Sequence, residues 1–225
     1  MMNRFKLSMA ACALAFVMPS PAFAADMPGG YREPYAAPAA GWSGFYAGLN
    51  GAYGWGQSDW SGGTTTGTTS PAGALFGATL GFNGQAGAFV FGAEGDIDGN
   101  WMRDSNSTGT GFCSTPGCGI QTSWFGTARG RVGYAFDRTL FYVTAGAAFG
   151  DVQMTAIGGT ATADRAGWTA GLGLEYAFLG PWSAKIEYLY ADLGSASCSA
   201  VVCGTATTVT FNTNIIRLGV NYRFW

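Results

Sequence analysis

The chain has 225 residues, of which 48% are hydrophobic and 11% are charged, with 37 glycines and a formal net charge of −2. A soluble globular domain carries about 25% charged residues, so this composition excludes disorder and leaves too little charge for a surface that faces only water. Histidine is absent, which excludes Ser-His-Asp and Cys-His nucleophilic sites, HExxH zinc sites and histidine-ligated haem.

The first segment has the features of a secretory signal peptide. Arg4 and Lys6 precede an apolar run from Leu7 to Met18, and Ala22-Phe23-Ala24 supplies the small residues of a cleavage site. We therefore predict a signal peptide at residues 1–24. Removal of Arg4 and Lys6 from the 11 basic residues leaves 9 against 13 acidic residues, a mature net charge of −4. This charge argues against nucleic acid as a partner.

The next segment, residues 25–41, carries three prolines among small residues and is predicted to be an extended periplasmic linker. Beyond it, no stretch reaches the ~18 to 20 consecutive apolar residues of a membrane-spanning helix. Eight segments instead alternate large apolar residues with small or polar ones, which is typical of strands with two unlike faces. Their apolar faces run from Phe45 to Trp55, Phe76 to Phe82, Phe89 to Ile97, Trp124 to Tyr134, Phe141 to Phe149, Trp168 to Tyr176, Ile186 to Tyr190 and Ile216 to Phe224.

The connections between these segments alternate in length. The predicted long ones are residues 56–71, 99–119, 151–165 and 194–208, and the short ones are residues 83–87, 136–139 and 179–181. Outer-membrane barrels have short periplasmic turns, longer extracellular loops and strands of about 10 residues. We therefore predict an all-β fold, an eight-stranded antiparallel up-and-down transmembrane β-barrel at residues 42–225 in the cell outer membrane. An even number of strands places both termini in the periplasm.

The two faces of the strands differ in polarity. In hydrocarbon a closed barrel satisfies every backbone group, so the apolar and aromatic faces are predicted to contact lipid, with aromatic girdles near the strand ends. The opposite faces are predicted to form a charge network that fills the lumen, since eight strands leave room only for side chains. Its members are Glu94, Asp96, Arg129, Arg131, Glu175, Lys185, Glu187 and Arg217. The alternative is a soluble sandwich or lipocalin-like barrel, which would bury the apolar faces and expose these charges.

Four cysteines remain after signal cleavage, and all of them fall in the predicted outer loops. An even number in an exported chain favours disulfides over a zinc site, which would also lack histidine ligands. Four cysteines permit three connectivities, of which the local pairs are the simplest. The predicted pairs are Cys113–Cys118 and Cys198–Cys203.

Several stretches resemble one bacterial protein family. They are Trp42-Ser-Gly-Phe-Tyr-Ala-Gly48, Val90-Phe-Gly-Ala-Glu94, residues 124–134, Gly167-Trp-Thr-Ala-Gly171, residues 182–190 and Leu218-Gly-Val-Asn-Tyr-Arg-Phe224. The chain resembles the small alphaproteobacterial outer-membrane β-barrels described as outer-membrane immunogenic or porin-family proteins, and more distantly the transmembrane domain of OmpA. The resemblance implies a terminal aromatic signal for the barrel-assembly machinery. Tyr222 and Phe224 fit its spacing, and Trp225 adds one residue of opposite parity.

These features predict a non-catalytic protein without cofactor or metal, which contributes to envelope structure and to surface display through its extracellular loops. Its expected partners are outer-membrane lipids, the barrel-assembly machinery and an extracellular ligand or host surface. One alternative is a small porin-like pore, which the family label implies but which the strand number disfavours. A surface adhesin or host-interaction protein is the other alternative.

Overall fold

The structure is a computed structural model that describes residues 41–62, 65–104, 108–109, 119–156, 159–198 and 207–224. The predicted signal peptide and residues 25–40 of the predicted linker lie outside these ranges. Within them, no helix is long and apolar enough to cross a membrane. All regular elements in the described ranges are β-strands.

Eight long strands and four short ones are present among these residues. The long strands are β1 (Gly44–Gly62), β3 (Ala72–Ala86), β4 (Phe89–Asn100), β8 (Trp124–Phe136), β9 (Thr139–Ala156), β10 (Gly159–Leu179), β11 (Trp182–Cys198) and β12 (Thr207–Arg223). The short strands are β2 (Thr65–Thr69), β5 (Arg103–Asp104), β6 (Thr108–Gly109) and β7 (Gly119–Gln121).

The long strands form a closed antiparallel barrel. Each long strand pairs with the next along the chain, and β12 pairs with β1 to close the sheet. A row of paired residues that starts at Trp55 and passes once around the barrel returns to β1 at Phe45, ten residues away. This stagger tilts the strands, as barrel closure requires. The predicted eight-stranded barrel is confirmed.

The two ends of the barrel differ. One end, here called the turn end, carries the tight turns at Gly87, Asp137 and Gly180, whose φ angles of 61°, 52° and 52° lie in the left-handed region. The first residue of β1 and the last residue of β12 lie at the same end. The opposite end, here called the loop end, carries the longer connections and the short strands.

The strands are longer at the loop end than the predicted ~10 residues. The structure has lengths of 12 to 21 residues. Residues 56–62 continue β1, and most of the predicted connection at 151–165 belongs to β9 and β10. The prediction was wrong here because it ended each strand where the apolar alternation stopped, whereas the antiparallel pairing of the backbone continues beyond that point through more polar sequence.

The exterior of the barrel is apolar. Leu49, Ile97 and Leu218 are 74%, 64% and 60% exposed, while the polar residues that alternate with them are buried in the interior. Aromatic pairs such as Phe45–Phe82 lie at the turn end, and pairs such as Trp168–Tyr190 lie nearer the loop end. The apolar faces therefore point outward, and the soluble alternative, which would bury them, is excluded.

Candidate functional site

The interior of the barrel holds a dense group of charged side chains. The structure places all eight predicted lumen residues there, together with Asp98, which was not among the predicted residues. This group, here called the charge belt, consists of Glu94, Asp96, Asp98, Arg129, Arg131, Glu175, Lys185, Glu187 and Arg217, each no more than 8% exposed. Asp98 follows Glu94 and Asp96 at the same parity on β4, so the alternation that identified those two residues also indicates Asp98.

Arg129 lies at the centre of the charge belt. Its Nη2 atom is 2.5 Å from Oε1 of Glu94 and 2.8 Å from Oδ2 of Asp96. Its Nη1 atom is 3.0 Å from Oε1 of Glu187. The first contact follows from the register, because Arg129 on β8 lies directly opposite Glu94 on β4. One guanidinium therefore compensates three carboxylates from two separate parts of the wall.

Arg217 has a similar role nearer the loop end. Its Nη2 atom donates to Oδ1 of Asp96 at 3.0 Å and to Oδ2 of Asp98 at 2.5 Å. Its Nη1 atom lies 3.8 Å from Oε2 of Glu187. Arg129 and Arg217 thus share two of their carboxylate partners, Asp96 and Glu187.

The part of the charge belt nearer the turn end is held by Lys185 and Arg131. Nζ of Lys185 donates to Oε2 of Glu94 at 2.9 Å, and Nη2 of Arg131 donates to Oε2 of Glu175 at 2.8 Å. Glu175 also accepts hydrogen bonds from Oγ of Ser183 at 2.6 Å and from Nδ2 of Asn221 at 2.9 Å. These carboxylates are fully engaged as acceptors.

Two tyrosines enclose Arg131 inside the lumen. Its guanidinium carbon lies 4.1 Å from the ring centre of Tyr142 and 5.6 Å from that of Tyr46. The hydroxyl of Tyr46 donates to Oε2 of Glu94 at 2.7 Å and accepts from Nη1 of Arg131 at 2.9 Å. The expectation that the aromatic residues face lipid is therefore wrong for these two, because a tyrosine ring can pack on a guanidinium while its hydroxyl bonds to the ion pairs.

Inward-facing glycines make room for these rings. A Cβ atom on Gly81 would overlap the ring of Tyr46, and one on Gly173 would overlap the ring of Tyr142. Because each tyrosine lies directly opposite its glycine on the adjacent strand and its ring packs over that glycine, any larger residue at these positions would push the ring away. The glycine content of the chain thus contributes directly to the filling of the lumen.

Apolar clusters lie on both sides of the charge belt. The loop-end cluster consists of Leu75, Met102, Phe125, Ala148, Val152, Leu189, Ala191, Leu193, Phe211 and Ile215. The turn-end cluster consists of Trp42, Val90, Leu140, Tyr142 and Ala177. Trp42 is fully buried, its backbone N–H donates to Oε1 of Gln85 at 2.7 Å, and the guanidinium of Arg223 lies 4.8 Å from its ring centre. Neither cluster was predicted from the sequence, and the two clusters lie between the charge belt and the two mouths of the barrel.

The other predicted site residues are only partly described. Cys113, Cys118 and Cys203 lie outside the described residues, and Cys198 is the last residue of β11 with a side chain that is not described. Tyr222 and Phe224 point outward with ring centres 5.5 Å apart, and Trp225 lies outside the described ranges. In the part of the chain that the structure covers, no cluster of three cysteine or carboxylate residues is arranged to hold a metal ion.

Comparisons with known proteins agree with this architecture. The family model for the outer membrane protein β-barrel domain matches residues 10–224. The 31 kDa outer-membrane immunogenic protein of Brucella melitensis biotype 1 is 33% identical over 237 residues, covering 94% of this chain and 97% of that protein. The outer membrane protein OprG of Pseudomonas aeruginosa has a TM-score of 0.56 at 14% identity, covering 82% of this chain and 97% of OprG. The outer membrane protease OmpT of Escherichia coli has a TM-score of 0.54 at 6% identity, covering 80% and 97%. At such identities the two structures show likeness of fold alone.

Proposed function

The chain belongs to the outer membrane protein β-barrel family, and from this premise we propose that it is a non-catalytic barrel with a closed lumen. It resides in the bacterial outer membrane, contributes to envelope structure and presents its loop end to the exterior. The turn end, with both barrel termini, faces the periplasm. This orientation follows the usual asymmetry of such barrels, which have short periplasmic turns and longer extracellular loops.

The observation that carries the proposal is the filled interior. Side chains from five of the eight long strands, β4, β8, β10, β11 and β12, meet in the charge belt, and an apolar cluster lies on each side of it. An ion that crossed the lumen would have to pass two apolar layers and displace buried ion pairs. Eight strands enclose little space beyond their own side chains, whereas wide aqueous channels have about 16 to 18 strands. The geometry therefore favours a stable scaffold over a diffusion pore.

The same interior argues against catalysis. Each carboxylate of the charge belt has an oxygen atom within 4.0 Å of an arginine or lysine nitrogen. These carboxylates are also nearly inaccessible to solvent. A general base has to reach a substrate proton within hydrogen-bond distance, and no substrate can approach these groups while both apolar clusters are in place. The likeness to the protease OmpT concerns fold, and fold alone does not determine activity.

Display at the cell surface is the role that remains for the loop end. The Brucella melitensis relative is named as an immunogenic outer-membrane protein, which agrees with loops that are accessible from outside. Contact with lipids follows from the apolar exterior, and the outward aromatics Tyr222 and Phe224 suit recognition by the barrel-assembly machinery. An extracellular ligand or a host surface is the expected partner of the loops.

Conductance in planar bilayers tests the closed lumen. We expect no sustained ion current from the purified, refolded protein, with a general porin in the same bilayers as a positive control. Arg131→Ala and Glu94→Ala provide the decisive comparison, because both residues are buried members of the charge belt that fills the lumen. A sustained current in the wild type that either substitution changes would overturn the proposal in favour of a pore.

Epitope insertion tests the orientation and the display role. One tag is inserted in the connection between β11 and β12, and a matched tag is inserted between Asp137 and Arg138 at the turn end. We expect an antibody to label intact cells only with the first tag and permeabilised cells with both. Labelling of intact cells through the Asp137 tag alone would reverse the orientation.

A further inference from the structure

The charge belt contains more carboxylates than cations. Its part nearer the loop end has three carboxylates, Asp96, Asp98 and Glu187, which face two guanidiniums, Arg129 and Arg217. The part nearer the turn end pairs Glu94 and Glu175 with Lys185 and Arg131. The whole belt therefore has five carboxylates and four cations, with the surplus near the loop end.

No other described cation compensates this surplus at close range. Arg223 lies six residues along β12 from Arg217, at the turn-end mouth, where it packs on Trp42. No carboxylate of the described residues comes within ion-pair distance of Arg223. On the loop-end side, the belt is bordered by the apolar residues of the loop-end cluster and by the buried polar side chains of Asn50 and Asn100, none of which carries a charge.

The surplus is localised at Asp98. This residue is fully buried, its Oδ2 atom contacts Arg217, and its Oδ1 atom has no hydrogen-bond donor among the described residues. The groups that face it are Arg217 from β12, Asp96 from its own strand, Asn50 from β1 and Arg129 from β8. Arg217 is already shared with Asp96 and Glu187, so Asp98 receives only part of its charge.

A buried charge without a full partner remains costly even after the surrounding groups relax. Proteins avoid this cost by neutralising the group or by binding a counter-ion. We propose that the barrel interior binds one additional positive charge at Asp98, supplied by a proton or by a monovalent metal ion such as Na⁺. The inference does not depend on which end of the barrel faces the cell exterior.

Two matched substitutions test the proposal. Asp98→Asn removes the surplus charge with little change in volume, and Glu175→Gln makes the same change in the balanced part of the belt. We expect the urea midpoint of Asp98→Asn, in sodium-free buffer at about pH 8, to equal or exceed that of the wild type. The midpoint of Glu175→Gln should fall, because this substitution removes the nearer carboxylate of Arg131, at 2.8 Å, and leaves it only the contact with Glu94 at 3.5 Å.

Two further measurements identify the bound charge. If it is a proton, the folded state holds one more proton than the unfolded state, so the folding constant of the wild type falls by up to about tenfold per pH unit as the pH rises. The infrared carbonyl band of a protonated carboxyl is then lost in Asp98→Asn. If it is Na⁺, the folding constant rises by up to about tenfold per tenfold increase in Na⁺ at constant ionic strength. Asp98→Asn abolishes whichever dependence the wild type has.

The proposal is overturned if Asp98→Asn lowers the midpoint as much as Glu175→Gln. It is equally overturned if the wild type and Asp98→Asn respond identically to both pH and Na⁺. Either result would mean that Arg217 alone satisfies Asp98 as an ordinary ion-pair partner.

Discussion

Arg129→Met is expected to destabilise the barrel strongly. The substitution keeps a long side chain but removes the guanidinium that lies within 3.0 Å of Glu94, Asp96 and Glu187. Removal of one partner from a buried ion pair costs about 3–5 kcal/mol, because the other charge remains buried without compensation. In the variant, Lys185 still contacts Glu94, and Arg217 still contacts Asp96. The loss of stability should therefore stay within about 3–5 kcal/mol and not reach three times that amount, although three carboxylates lose a partner.

The size of this effect makes it easy to measure. A loss of about 3–5 kcal/mol reduces the folding constant by two to almost four orders of magnitude, at 1.4 kcal/mol per tenfold change. Typical domains have a total stability of about 5–15 kcal/mol. Urea unfolding in lipid vesicles, followed by tryptophan fluorescence and by the faster gel migration of the unboiled folded barrel, gives the free energy of unfolding.

Arg138→Met is the matched control, because Arg138 is exposed in the turn after β8. Its effect should stay within about 0.5 kcal/mol. A loss below about 1 kcal/mol for Arg129→Met would refute the reasoning, since a cost that small is typical of solvent-exposed ion pairs. The charge belt would then have to be hydrated and the lumen open.

Four further predictions concern other parts of the molecule. Leu218→Arg places a charge midway along the exterior and should cost about 2–4 kcal/mol in vesicles; an unchanged urea midpoint would mean that this face meets water. Gly81→Ala should cost about 1–3 kcal/mol by displacing Tyr46, whereas Gly130→Ala, whose Cβ would have 4.0 Å of clearance, should be nearly neutral by the same assay. Trp42→Ala should cost about 3–5 kcal/mol without opening a pore, and a sustained current would show that Trp42 alone closes the lumen. Thiol alkylation followed by mass spectrometry should give labelling only after reduction, and labelling without reductant would exclude the predicted bridges at Cys113, Cys118, Cys198 and Cys203.

Period-two alternation was sufficient to assign the strands and most of their faces. On β8, for example, Trp124, Val132 and Tyr134 are exposed while Arg129 and Arg131 are buried, as the sequence indicates. When one face of a strand carries a charged residue and the other face is apolar, the assignment of the two faces is clear, because only the apolar face can contact lipid. The same reasoning, carried two residues further along β4, would have included Asp98.

The interior apolar clusters could not be recognised in this way. Leu189 has the parity of Lys185 and Glu187, which places it inward, but it lies between Tyr188 and Tyr190, so polarity alone does not distinguish the two faces of β11 at this height or show that the lumen becomes apolar there. The structure buries Leu189 fully and leaves Tyr188 on the exterior. Polarity inside the barrel varies with height, and height depends on the stagger between strands, which short segments of sequence do not specify. Tyr46 was missed for a related reason, because its ring suits lipid as well as a guanidinium.

The charge belt contributes more to the choice of register than to stability. Well-packed hydrophobic residues of similar volume are often at least as stabilising as a buried ion network, so stability alone gives the belt no advantage. A slip of one residue in any strand, however, moves its inward side chains to the lipid face. A slip of β8 would move both Arg129 and Arg131, and a slip of β11 or β12 would move Lys185 or Arg217. Each cation would cost about 2–4 kcal/mol near the centre of the bilayer, or roughly 4–8 kcal/mol for the pair on β8. A penalty of this size is comparable with the lower part of the stability range of a typical domain, so the charge belt disfavours these slips even where glycine-rich strands would tolerate them.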